Sequence, residues 1–239
     1  VVVHNQNRQN ADLRIFEFGK VYSKVGDKYQ EGKRLSVTVA GRRWSENWMD
    51  SNEKHSFFTL KGVVNAIFQR LGLDGFVSFR GIENTTLLDG LSIYLNNRTK
   101  VGEIGLVQQK VRKHLGAKQE VFAADLYWDE ILDALKMVKI IYKELPKTCA
   151  VRRDYSLLLD KAVTFAQVQE IATKTERKLL KEVGLFDVYE GDKLPEGKKS
   201  YAVSFIFQDA EKTLQDAQID GVMAKIREGL EKQLNAELR

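Results

Sequence analysis

VRRDYSLLLD, residues Val151–Asp160, decides the fold of the C-terminal portion when read with Val183–Glu190 (VGLFDVYE) and Lys198–Gln208 (KKSYAVSFIFQ). Each has the alternating or near-continuous apolar pattern of a strand. Between the first two, Thr164 followed by Gln167 has the spacing of a capping box. The helix behind it carries Phe165, Val168, Ile171, Ala172, Thr175 and Leu179 on one face. Gly191–Gly197, with Pro195, reads as a turn. After the third strand, Asp220 is expected to cap a helix striped by Val222, Met223, Ile226, Leu230 and Leu234, and Ala236–Arg239 to add a short last strand. The order is βαββαβ, a ferredoxin-like split.

In such a domain both helices cover one face of the sheet, and alternation assigns residues to the two faces. Tyr201, Val203, Phe205 and Phe207 point at the helices, leaving Ser200, Ala202, Ser204 and Ile206 open. Phe186 and Val188 go inward with Asp187 and Tyr189 outward. Tyr155, Leu157 and Leu159 go inward with Arg152, Asp154 and Ser156 outward. The opposite register would bury Asp154 and Asp187 unpaired, at high cost. The open face then carries one aromatic, Tyr189, to stack a base, with Asp187 and the serines to read base edges and arginines for phosphate. An equally weighted reading is a solvated or docked sheet face. An RNA-recognition motif would place aromatics at the outward positions of the third strand, where Ser200, Ala202 and Ser204 stand.

Upstream, Leu13–Tyr22 and Leu35–Ala40 read as strands around a Gly26–Asp27 turn, and Gly41 opens a loop containing Trp44 and Trp48. These tryptophans pack the loop more readily than they stack a ligand. Phe57–Leu71 is an amphipathic helix ended by Gly72. Leu91–Leu95 and Val101–Val107 form a hairpin around Asn96–Asn97, followed by a strand at Val121–Leu126 and a helix at Tyr127–Val138. The period is lost over Lys139–Ala150. Pro146 marks a junction there, which divides the chain into domains at 1–145 and 146–239. The fold class is α+β throughout.

Residues 1–145 hold 22 basic and 17 acidic side chains, while 146–239 hold 16 of each. A polynucleotide partner of the second domain would therefore meet a small specific site rather than a basic field. One cysteine, Cys149, and three scattered histidines provide no disulfide and no metal-ligand spacing. No apolar run approaches the roughly 18–20 residues of a membrane span, so no membrane contact is expected. The opening VVVHNQNRQN, without an initiator Met or a signal-peptide layout, reads as the interior of a longer chain. A reducing, cytoplasmic setting is the expectation.

VRRDYSLLLD, LFDVYEGDKLPEGKKSYAVSFIFQD and KTLQDAQIDGVMAKIREGLEKQLNAELR resemble the C-terminal anticodon-binding domain of the bacterial phenylalanyl-tRNA synthetase β subunit. RIFEFGKVY, the Gly41–Trp44 loop and HSFFTLKG resemble the region just upstream in that family, a non-catalytic module on the antiparallel class II synthetase sheet. The resemblance implies that Asp187, Tyr189, Ser200 and, by position at the chain end, Arg239 meet the anticodon of tRNA(Phe). Ser156 and Arg152 are additional contacts proposed from the open face. The resemblance also implies a heterotetramer with a catalytic α subunit, which handles ATP and Mg²⁺, so no cofactor is expected on this chain. Phe16–Phe18 offers no phosphate-holding arginine, and VGEIGLVQQKVRK lacks a Gly-x-Gly-x-x-Arg strand. No catalytic residue and no metal site are therefore expected here. Glu103 and Asp125 are read as surface carboxylates rather than metal ligands. The Phe57–Leu71 helix is read as supporting the sheet or a subunit interface. Two rivals remain: an amino-acid-sensing βαββαβ module, although Asp160–Thr164 lacks the glycine such modules use, and a domain that serves only protein assembly.

Overall fold

Gly26 and Asp27 turn the chain between two long strands, β1 (Leu13–Val25) and β2 (Lys28–Ala40), paired antiparallel from Leu13 opposite Ala40 to Val25 opposite Lys28. The computed structural model describes residues 1–49, 52–82, 86–139, 142 and 144–238, and the chain divides into two compact units, Val1–Ile141 and Tyr142–Arg239.

The first unit continues through α2 (Phe57–Arg70, after a short α1 at Val2–Gln6), β3 (Val77–Ile82), β4 (Leu87–Leu95), β5 (Thr99–Val107), α3 (Gln109–Leu115), β6 (Val121–Tyr127) and α4 (Trp128–Leu135). Its six strands form one antiparallel sheet in the order β1-β2-β6-β5-β4-β3. Asn96 and Asn97 both take positive φ, 51° and 58°, as the β4–β5 turn requires. Ser56 starts α2, its Oγ accepting from Thr59 N at 3.4 Å while Ser56 N donates to Thr59 Oγ1 at 3.2 Å. The helix then buries Leu60, Val64 and Phe68 against Leu35, Val37 and Val39 of β2. Each such side chain contributes about 1.5–3 kcal/mol of burial.

The second unit runs β7 (Val151–Asp160), α5 (Phe165–Thr175), β8 (Leu180–Tyr189), β9 (Lys198–Phe207), α6 (Asp216–Leu234) and β10 (Glu237–Leu238). Its sheet order β10-β7-β9-β8 is that of a ferredoxin-like fold. Gln167 Oε1 accepts from Thr164 N at 2.8 Å at the start of α5. Leu157, Leu159, Val203, Phe205 and Phe207 pack with Val168 and Ile171 of α5 and with Met223, Ile226 and Leu230 of α6.

Asp220 does not cap α6. The helix begins one turn earlier, after Gln215, whose N donates to Gln218 Oε1 at 3.3 Å. Buried Leu214 and Ile219 extend the apolar stripe backwards and draw the start with it. Asp220 instead joins Asp216 in facing Arg153 of β7, with Asp220 Oδ1 3.8 Å from its Nε.

Candidate nucleic-acid interface

The β8–β9 ladder sets the open face of the second unit. Val183 lies opposite Phe205 and Leu185 opposite Val203, both on the helix side. Continued alternation would carry Asp187 and Tyr189 to that same side. A bulge prevents this: Leu185 pairs with Val203 and Asp187 with the adjacent Ala202, so Phe186 is an extra residue in β8. Bulges re-aim the side chains that follow them. Past this one, Asp187 faces out beside Ala202 and Tyr189 beside Ser200.

The expected inward place of Phe186 is therefore wrong. It is 55% exposed. The guanidinium carbon of Arg152 sits 4.9 Å from its ring centroid. Arg152 belongs to the open face: its neighbour Arg153 pairs with the α6 carboxylates, and Arg152 Nε donates to Asp154 Oδ1 at 2.8 Å two residues along the same side of β7. A single unbroken period of two, run through β8, passes over the bulge. A mismatch in phase between VGL and DVY, each apolar at its own inward positions, was the available signal.

Asp187 and Tyr189 on β8, Ser200 on β9 and Ser156 on β7 thus share one face, with Ser156 and Asp187 both opposite Ala202 and Tyr189 opposite Ser200. Asp187, Tyr189 and Ser200 make no side-chain hydrogen bond among the described residues, and Ser156 and Ser200 are half-buried. An ionised carboxylate only accepts hydrogen bonds, and a hydroxyl does both. The tyrosine ring is 41% exposed and reaches back over Gly191, where an added Cβ would lie 2.6 Å from Tyr189 Oη. Arg152 shares the face, but its charge is engaged by Asp154. Arg239 lies outside the described residues.

The electrostatics of the face favour bases over backbone phosphates. Among the described residues, cross-strand pairing places Arg152 and Lys198 on this side with Asp154, Asp160, Glu182, Asp187 and Glu237, and both cations are already paired, Arg152 with Asp154 and Lys198 with Asp160 at 2.9 Å. Affinity built here must come from stacking and edge recognition.

In the first unit, Glu103 and Asp125 are direct cross-strand neighbours on β5 and β6. Lys100 is paired with Glu103, and Arg34 Nη1 lies 3.6 Å from Asp125. Burial raises the Asp125 carboxyl above its usual range, with Glu103 adding to the rise and Arg34 opposing it. Among the described residues no three His, Cys, Asp or Glu side chains cluster as metal ligands. Elsewhere an apolar groove of about 390 Å³ runs between β1–β2 and the helices, lined by Phe16, Phe18, Leu35, Val37, Val63 and Trp128. Phe18 and Trp128 meet edge to face at 5.0 Å, and Phe16 is 73% exposed. Trp44 packs under the guanidinium of Arg14 at 5.0 Å, while Trp48 is exposed. No helix among the described residues is long and apolar enough to cross a membrane.

Comparison with known proteins assigns both units. A family model described as a ferredoxin-fold anticodon binding domain matches residues 146–239, and one described as the phenylalanyl tRNA synthetase beta chain CLM domain matches residues 1–128. Curated relatives named phenylalanine–tRNA ligase beta subunit match all of the chain: 44% identical in Bacteroides fragilis over 248 residues, and 33% in Thermotoga maritima over 243. That of Bacillus subtilis is 33% identical over 242 residues. The chain spans about 30% of the length of each of these relatives.

Proposed function

We propose a function from one premise: the chain belongs to the phenylalanyl-tRNA synthetase β-chain family. On that premise the open sheet face of its second unit reads the anticodon of tRNA(Phe). The observation that carries this reading is the convergence of Asp187, Tyr189 and Ser200, without side-chain hydrogen bonds among the described residues, on one face of a ferredoxin-fold domain. Tyr189 stacks an unpaired base, Asp187 accepts from donors on a base edge, and Ser200 and Ser156 add adaptable hydroxyls. Arg152 contributes its plane more than its charge, which Asp154 already balances. Arg239, by its motif position, is a further contact in this reading.

The first unit serves assembly. The groove at Phe16, Phe18 and Trp128 suits the apolar surface of a catalytic α subunit, which would supply ATP and Mg²⁺ handling in a cytoplasmic heterotetramer. Glu103 and Asp125 are each engaged by a cation, Lys100 and Arg34 respectively, in keeping with surface carboxylates rather than metal ligands. The chain alone is inactive in aminoacylation in this reading. A domain junction near Pro146 agrees with where the second family match begins.

Titration with intact tRNA(Phe) and with the same tRNA lacking its anticodon loop tests the reading. The synthetase containing this chain should lose affinity for the truncated RNA, and replacing Tyr189 by Ala should weaken only the intact one, by about 1–3 kcal/mol. Equal affinity for both RNAs would move the open face to a protein-docking role.

A further inference from the structure

We infer that Phe186, with the guanidinium of Arg152 against its ring, is a second base-stacking platform on the open face, separate from Tyr189. The inference rests on the anticodon reading of this face and adds to it a residue that no motif or alternation marks. Phe186 is the extra residue of the β8 bulge, and its contact with Arg152 of the open face puts its ring on the same side as Asp187. An exposed phenylalanine has no polar atom to gain from water, yet the domain holds this one 55% exposed rather than within the helix-side core. Its ring carries a guanidinium 4.9 Å from the centroid. That guanidinium is held by Asp154 at 2.8 Å. Arginine planes and aromatic rings are the two surfaces on which proteins stack unpaired bases.

Phe186 and Tyr189 are three positions apart on β8, under about 10 Å along the strand. Asp187 lies between them, and its carboxylate only accepts. Two nucleotides splayed out of a loop can each take one ring, with an edge of either presented to Asp187. The acid-rich surroundings fit this division: the platform contributes planar contact, and its cation is neutralised in advance by Asp154.

The test uses the synthetase assembled with its complete β subunit and anticodon stem-loop RNAs carrying an abasic site at each loop position in turn. Phe186→Leu keeps an apolar side chain in an exposed place and is expected to raise Kd about tenfold, with Phe186→Tyr near wild type. One abasic position should cease to matter in Phe186→Leu, and a different one in Tyr189→Ala. Wild-type affinity for Phe186→Leu, alongside weakened binding by Tyr189→Ala, would overturn the second platform while leaving the anticodon reading standing. The same abasic position silenced by both variants would also overturn it, since one base would then serve both rings. If neither variant changes Kd, the anticodon reading itself fails. Should Phe186→Leu fold poorly, Phe186→Tyr and Arg152→Met separate the cases: retained binding in the first and a several-fold loss in the second support the stack, and the reverse pattern refutes it.

Discussion

Replacing Gly191 by Ala tests whether the pose of Tyr189 is built into the fold. An added Cβ would lie 2.6 Å from Tyr189 Oη, 2.8 Å from Cζ and 3.3 Å from Cε2. Heavy-atom contacts settle near 3.5–4.0 Å, so the ring must retreat by about 1 Å. Gly191 is absent from the positive-φ residues, so an alanine backbone fits there without strain. The site is exposed, and stability should stay within about 0.5 kcal/mol of wild type. A stacked base is worth about 1–3 kcal/mol, and a displaced ring forfeits part of that. We expect a loss of about 0.5–1.5 kcal/mol, or roughly 2- to 12-fold in Kd. The assay is titration of a labelled anticodon stem-loop with the assembled synthetase, alongside calorimetric Tm. The second arm is a double-mutant cycle: Gly191→Ala should be neutral once Tyr189 is already Ala. Unchanged Kd in the single variant, with Tyr189→Ala still weakening binding, would refute a preset ring. So would a Gly191 effect that persists without the tyrosine.

Asp187→Ala should relax discrimination at one anticodon base while leaving the salt dependence of binding unchanged, because no phosphate contact is lost; titrations with single-base variants at two salt concentrations check both parts. Phe18→Asp, in the groove of the first unit, should weaken association with the α subunit at unchanged helical content, as sedimentation and circular dichroism would report; intact assembly would remove the groove from the interface. His55 is 5% exposed with neither ring nitrogen hydrogen-bonded, and burial, aided by Arg14 and Arg43, lowers its pKa. The unfolded chain then binds more protons than the folded one below about pH 6.5, so this contribution is present above that pH and lost as pH falls toward the folded value. The first unit should melt lower at pH 5 than at pH 7.5, and His55→Gln should flatten that difference.

Where burial is one-sided, the sequence displays the structure. The stripe Leu60, Val64, Phe68 and the Asn96–Asn97 turn are legible because each obeys a single period or a single backbone demand. The arms of β1 and β2 past Phe18 are less so. Solvent reaches most of both faces there, leaving no apolar alternation to find. Strand β3 at Val77–Ile82 is an edge strand with no fully buried residue, and it hides for the same reason. The start of α6 is not legible because Gln215, a weaker capping type than Asp220, holds it. At the candidate site, alternation places Asp187 and Tyr189 outward as found because both lie past the bulge in β8, and Ser200 because β9 keeps its period. Phe186 lies on the bulge, and a period of two has no place for an extra residue.

The same bulge has a consequence for solubility. Among the described residues β8 is an outer strand of its sheet, with β9 on one side and no strand on the other. A long regular outer strand offers its free N–H and C=O groups as a template for another chain. Phe186 interrupts that row near the middle of the exposed segment, and the second register shift, between Leu180 and Glu182, interrupts it again. The strand that carries an aromatic and a carboxylate on the open face is thereby made a poor partner for a stray strand, so the domain can keep a sticky face without a sticky rim.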